Sequence, residues 1–262
     1  LVRPEVTVTT VAGSVGEAEY ATGWGNSARF DKPAAVAADK AGNVYVADSG
    51  NHVVRKISAE GSVTTLAGLA GDAGHADGTG RAARFRAPHG VAVDGAGNVY
   101  VADTHNHAVR KITPAGAVTT LAGVVEIKNG LPVGGFADGK GAAARFRAPR
   151  GVAVDGAGHV IVADTENAVL RKVAADGTVT TLAGGAGAAG YKDGPAKDAR
   201  FNYPQQVAAD AAGNMVVADT WNQAVRRVAA DGIVTTVTNG AACFPSRSEE
   251  RRVGKECRSR GS

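Results

Sequence analysis

Cysteine is nearly missing from this 262-residue chain: only Cys243 and Cys257 occur. That is too few for a disulfide-stapled scaffold, and a chain of this length does not need one. Aromatic residues are scarce too, at six Phe, five Tyr and two Trp, so a core has to be built from small and β-branched side chains. No apolar run approaches the ~18 residues of a membrane-spanning helix, which excludes a transmembrane helix. The motifs of common catalytic sites are absent as well: there is no G-x-S-x-G elbow, no C-x-x-C pair and no H-E-x-x-H. Glycine is the abundant residue, at 36, about twice its usual share of roughly 7%. It lacks the G-X-Y period of collagen, and an apolar content of 44% argues against wholesale disorder.

The formal charge of +4 and pI of 9.1 hint at an acidic partner such as nucleic acid or an anionic membrane. The hint fades on inspection of the C-terminus. Residues 247–262 share no pattern with the rest and resemble the in-frame translation of a sequencing adapter, so they are set aside from the fold as an expression scar would be. They hold six of the 29 Lys/Arg and three of the 25 Asp/Glu, which leaves the remainder at +1. Residues 1–246 carry the fold.

Those residues are repetitive. Gly90–Gly123 and Gly151–Gly184 are identical at 23 of 34 positions, and two further copies run over Ala35–Gly68 and Gln206–Asn239. The anchoring aspartates Asp48, Asp103, Asp164 and Asp219 are spaced by 55, 61 and 55 residues. A fragment of a fifth copy, Val6–Gly13, precedes them. Within one copy the apolar runs are short: Gly90–Val93, Val99–Ala102, Ala108–Ile112 and Ala117–Leu121, joined by hairpin-length turns such as Asp94–Asn98. Four short antiparallel strands per unit, with no helices between, describe a propeller blade. A single blade cannot bury both of its faces, so neighbours complete the core, and Val and Ala suit the narrow wedge between them.

The predicted architecture is all-β: a β-propeller of four-stranded antiparallel blades at about 33–68, 88–123, 149–184 and 204–239. A stray strand at 6–12 is expected as the outer edge of a blade whose other strands are missing. That strand count, Leu1 in place of methionine and the adapter-like tail predict a fragment forming an open arc, with a closed ring of four to six blades as the alternative. The connections between blades end in Ala-Arg-Phe, at Phe30, Phe85, Phe146 and Phe201. Each Phe is expected to anchor the connection, and the preceding Arg to pair with Asp77, Asp138 or Asp193. The anchoring aspartates recur with Arg55, Arg110, Arg171 and Arg226 seven positions later. A group needed once for chemistry would not be copied four times, so a repeated Asp–Arg bridge or turn cap is expected.

The runs Asp48–Lys56 (DSGNHVVRK) and Asp103–Lys111 (DTHNHAVRK) resemble NHL repeats, particularly the bacterial tandem type, over essentially residues 5–240. The resemblance implies a propeller whose first strands line a central channel, and an exported, extracytoplasmic protein. A related propeller enzyme, the amidating lyase, places zinc-binding histidines at the rim in a setting like Pro88-His89-Gly90. The equivalent positions here are Ala34, Arg150 and Gln205, so only one ligand is present. His89 is therefore the sole metal candidate, and no cofactor is expected. His52 and His107, at the repeat's signature position, and His159, in a turn, are expected to be structural.

Two positions vary on otherwise copied surroundings: Ala34, His89, Arg150 and Gln205 after the rim proline, and Gly50, His105, Glu166 and Trp221 after the aspartate. Both fall on the face carrying the inter-blade connections. A ring of unlike side chains on a repeated frame is how repeat proteins individualise a binding face. His89, Arg150, Gln205, His105, Glu166 and Trp221 are accordingly the candidate ligand-binding residues, with Tyr203 adding aromatic surface. The expected function is non-enzymatic recognition of a protein, peptide or glycan, with no nucleic-acid partner. The alternatives are a metal-dependent lyase or lactonase and, as in some animal NHL propellers, RNA binding.

Overall fold

The computed structural model describes residues 7–237. It contains four antiparallel sheets, one per repeat, arranged as the blades of a β-propeller. In blade 1 the strands are Pro33–Ala38, Val44–Asp48, Val53–Ile57 and Ser62–Ala67, each pairing with the next. Blades 2, 3 and 4 repeat the order from Gly90, Pro149 and Pro204. The turn between the first two strands is fixed by its aspartate. Asp94 Oδ1 accepts the N–H groups of Ala96 and Asn98, while Oδ2 accepts Asn98 Nδ2 and the Tyr100 hydroxyl. Among the described residues no helix is long and apolar enough to cross a membrane.

Each sheet has five strands where four are expected. The fifth is a two-residue piece of the preceding connection: Gly23–Trp24, Gly78–Thr79, Gly139–Lys140 or Gly194–Pro195. It pairs outside the last strand, as Gly23 does with Val63, and caps the blade's open edge. Two residues flanked by glycine carry no alternation, so hydrophobic periodicity cannot reveal them. The strand expected at 6–12 is not found. Residues 7–12 pair with no sheet, Val8 and Val11 are 90% and 64% exposed, and no inner strands of the blade they were expected to edge stand beside them among the described residues. Val6 and the segment 247–262 lie outside the described residues. The longer spacing before blade 3 is explained by a hairpin, Glu126–Lys128 paired with Leu131–Val133, inserted into that connection.

The core is a series of junctions. Blade 1 meets blade 2 through Tyr45, Ala47 and Val54 against Val91, Val101, Ile112 and Phe85. Blade 2 meets blade 3, and blade 3 meets blade 4, through the equivalent residues, with Phe146 and Phe201 at the centres. The three internal phenylalanines are at most 1% exposed, the expected anchor role, and Phe30 covers the leading face of blade 1 with Ala12 and Ala28. First strands pack side by side in chain order. They come so close that a Cβ on Gly90 would lie 2.1 Å from the Arg150 carbonyl oxygen, and one on Gly151 2.7 Å from that of Gln205. No comparable packing joins blade 4 to blade 1 among the described residues, so the four blades form an arc. Its trailing face, with Val216, Val225 and Ile233, is open to solvent.

Candidate functional site

Beneath the rim, every blade is tied by one buried aspartate. In blade 2, Asp103 Oδ1 accepts the Arg86 backbone N–H (2.8 Å), and Oδ2 accepts Asn106 Nδ2 (2.7 Å) and Arg110 Nη1 (2.8 Å). The same three donors meet Asp48, Asp164 and Asp219. Asn and Arg therefore recur in the motif because each fills one acceptor position on a carboxylate buried away from solvent. Burial pushes the Asp103 and Asp164 carboxyls up to about 6, against the pull of these donors. Arg55, Arg171 and Arg226 are also held between two aromatic rings and Arg110 against one, Phe85: Arg171 Cζ lies 4.7 Å from the Phe136 centroid and 5.1 Å from that of Phe146.

The arginines of the Ala-Arg-Phe stretches do not take the partners expected of them. Asp77, Asp138 and Asp193 pair with the repeat arginines Arg110, Arg171 and Arg226 at 2.6–2.7 Å. Arg84 pairs instead with Asp72, Arg145 with Glu126 and Arg29 with Glu17. The fully buried guanidinium wins the second carboxylate because it has the greater desolvation to offset, whereas Arg84 and Arg145 reach solvent.

The rim is stitched onto this frame. The backbone N–H of each variable turn residue donates to the carbonyl of the residue after the anchor Phe: Gly50 to Asp31, His105 to Arg86, Glu166 to Arg147 and Trp221 to Asn202, at 2.8–3.1 Å. The pairing reveals a third variable set missed in the sequence: Asp31, Arg86, Arg147 and Asn202. The signal was there, one residue beyond Arg-Phe, but nothing local says that this position lies beside the turn after the aspartate. In blade 1 the Asp31 carboxylate occupies the space beside Gly50, since a Cβ on that glycine would fall 2.2 Å from Asp31 Oδ2.

Between neighbouring blades these positions form crevices of unlike chemistry. The crevice of blades 1 and 2 is lined by Asp31, Lys32, Ser49, His52, His89 and His105. That of blades 3 and 4 is lined by Arg147, Glu166, Asn202, Tyr203 and Trp221. Between blades 2 and 3, Leu131 and Pro132 of the inserted hairpin lie against Arg86, His105 and His107.

Five of the six predicted site residues come together. The His89 and His105 rings are 6.4 Å apart. Burial holds both below the ordinary histidine pKa, and the Arg150 charge lowers them further. Arg150 Nη2 donates to the Tyr203 hydroxyl (3.3 Å), and Tyr203 stacks on Trp221 at 4.3 Å and 8°. Glu166 faces the same crevice as Trp221 and pairs with Arg147 at 3.1 Å. The side chain of Gln205 joins none of these contacts. Three further histidines have the expected structural roles. His52 and His107 accept the N–H of Ala87 and Ala148 from the next blade's connection, and His159 bonds Asp155 in its turn. No group of three His, Cys, Asp or Glu able to hold a metal occurs among the described residues.

Comparison with known proteins agrees with this architecture. The NHL repeat family matches residues 30–57, 85–112 and 146–172. NHL repeat-containing protein 2 of Bos taurus is 32% identical over 173 residues, covering 61% of this chain and 23% of its own length. Protein SUPPRESSOR OF QUENCHING 1, chloroplastic, of Arabidopsis thaliana is 33% identical over 140 residues, covering 49% of this chain and 12% of its own length. The chain thus spans less than a quarter of these relatives. Among solved structures, an auxiliary nutrient binding protein from Bacteroides thetaiotaomicron superposes with a TM-score of 0.56 at 20% identity, over 75% of this chain and 46% of the other. A streptogramin B lyase does so with a TM-score of 0.53 at 12% identity, over 79% and 55%. These two likenesses concern the fold. Three matched repeats, a fourth copy on the same Asp–Asn–Arg frame and a sheet for each of them make this chain a member of the NHL-repeat β-propellers.

Proposed function

We propose that this propeller is a non-enzymatic recognition scaffold, and that a protein, peptide or glycan docks on the face carrying the inter-blade connections. The observation that carries the reading is the contrast between frame and rim. Four copies keep the same buried Asp–Asn–Arg bonds, while the side chains set upon them differ in every blade and run together as His89, His105, Arg150, Tyr203 and Trp221. Interface residues of this kind, Trp, Tyr and Arg, carry most of the energy where proteins bind ligands. The tightly bonded frame holds them in place before a ligand arrives, which lowers the cost of ordering them on binding.

The test is a screen on peptide and glycan arrays with the wild type, with Trp221→Ala/Arg150→Ala, and with Lys40→Ala in a turn of the opposite face. The rim double variant is expected to lose the wild-type signal while its melting temperature stays within a few degrees, and Lys40→Ala to keep both. Retention of the signal by the double variant, or its loss together with the fold, overturns the reading.

A further inference from the structure

The crevice of blades 3 and 4 differs from the others in chemistry, and the difference identifies a class of ligand. Trp221 is 63% exposed, yet its ring is not free to wander, since its stacking on Tyr203 holds it in place. Tyr203 is itself fixed in a left-handed backbone conformation, with φ 54°, at the end of the connection. A rigid, flat indole with one open face is a platform for another flat apolar face. Pyranose rings present such a face in their axial C–H groups while keeping hydroxyls at the edge. Glu166, Arg147 and Asn202 line the same crevice and offer polar groups to those hydroxyls.

Arg150 supplies the second half of the argument. Its guanidinium carbon lies 5.4 Å from the Tyr203 centroid and Nη2 bonds the Tyr203 hydroxyl, and its side chain makes no other hydrogen bond among the described residues. No carboxylate is in ion-pair contact with it among the described residues, in contrast to Arg147, which pairs with Glu166. A half-buried guanidinium with unused donors has the geometry for a carboxylate from outside.

We propose that this crevice binds an acidic oligosaccharide, with a pyranose ring on the open face of Trp221 and a carboxylate on that sugar or its neighbour paired to Arg150. The proposal rests on the reading of the rim as a binding face and narrows it to one chemistry.

The experiment uses the full chain carrying Trp24→Phe, so that Trp221 is its only tryptophan. Tryptophan fluorescence is titrated with hexamers of galacturonate, guluronate, mannuronate and glucuronate, with neutral cellohexaose, and with oligouridylate. At least one acidic hexamer is expected to change the signal saturably and to bind tenfold or more tightly than cellohexaose. Arg150→Leu is expected to remove that tenfold preference, and Trp221→Ala to abolish binding measured by calorimetry. Equal affinity for neutral and acidic hexamers, insensitivity to Arg150→Leu, no response to any hexamer, or tighter binding of oligouridylate would each overturn it. If the hexamers fail while the array signals still depend on Trp221 and Arg150, recognition at the rim stands and only the sugar assignment falls.

Discussion

The crevice of blades 1 and 2 and that of blades 3 and 4 rest on the same bonds and present different surfaces. Below both, a buried aspartate binds the connection, an asparagine and an arginine. Above, the first offers three imidazoles, a lysine and an aspartate, and the second a stacked aromatic pair beside an Arg–Glu bridge. The contrast teaches that position and chemistry are set by separate residues. The buried carboxylate decides where the rim side chains stand, and a few exposed positions per blade decide what they can bind.

That separation is broken most severely from below. Asp164→Ala leaves Arg171 buried without its one fully buried carboxylate partner, with only the half-exposed Asp138 and carbonyl oxygens left to it. It also leaves the Arg147 N–H and Asn167 without their acceptor. Removing one member of a buried pair costs about 3–5 kcal/mol. Trp221→Ala gives up only a stacked pair at the surface, about 0.5–1.5 kcal/mol. Denaturant unfolding of the two variants checks the ranking, and an Asp164→Ala loss no larger than that of Trp221→Ala would contradict the division of labour.

The same division explains how much could be read beforehand. The four core strands of each blade, the anchor phenylalanines and the Asp–Arg pair were legible because repetition marks them: each recurs at a fixed offset with the right residue types. The two-residue edge strands were not, since Gly78–Thr79 pairs with Ala117–Val118 through backbone groups alone and has no side-chain pattern. Which carboxylate Arg110 would share could not be read either. Asp77 competes for Arg84 and Arg110, and the choice falls to burial, which only the folded chain defines. At the rim, Gly50 and Asp31 illustrate the limit. Each looks like an unremarkable loop residue, and only the bond between them shows that one carboxylate fills the place of the missing side chain.

A milder perturbation acts between blades. His52 and His107 accept a backbone N–H through Nδ1, so they must be neutral there, and burial holds both below their ordinary pKa. The unfolded chain therefore takes up these protons first on acidification. Their contribution is full above pH ~6.5 and is lost as the pH falls from there through the folded values. Asp103 and Asp164, raised to about 6 by burial, act in the opposite sense, because their contribution is present at low pH and is lost as the pH rises through that value. The histidine part is isolated by His52→Gln/His107→Gln, glutamine being the residue that blade 4 carries at this position as Gln223, with the same left-handed φ of 52°. Between pH 7 and pH 5 the wild type is expected to lose about 1–2 kcal/mol more than this variant, the worth of two hydrogen bonds. Parallel losses would show that the imidazoles do not tie the blades together.

The smallest effect on stability is expected where the crevices differ by insertion rather than substitution. The connection before blade 3 is six residues longer than its neighbours, since Asp103 and Asp164 are 61 residues apart against 55 for the flanking pairs. The extra length forms the hairpin over the crevice of blades 2 and 3, where Leu131 and Pro132 lie against His105 and His107. Its strands pair only with each other, and Leu131 and Ile127 are 62% and 47% exposed, so little apolar surface would be lost with it. Loop length weighs only logarithmically on closure entropy. Shortening residues 124–133 by the six extra residues is expected to change stability by less than about 1 kcal/mol, chiefly through loss of the Arg145–Glu126 pair. His107, which lies against Pro132, should then react with diethylpyrocarbonate faster than it does in the wild type. An unchanged rate would mean that the hairpin does not shield this crevice, and that the middle one is as open to ligands as the two beside it.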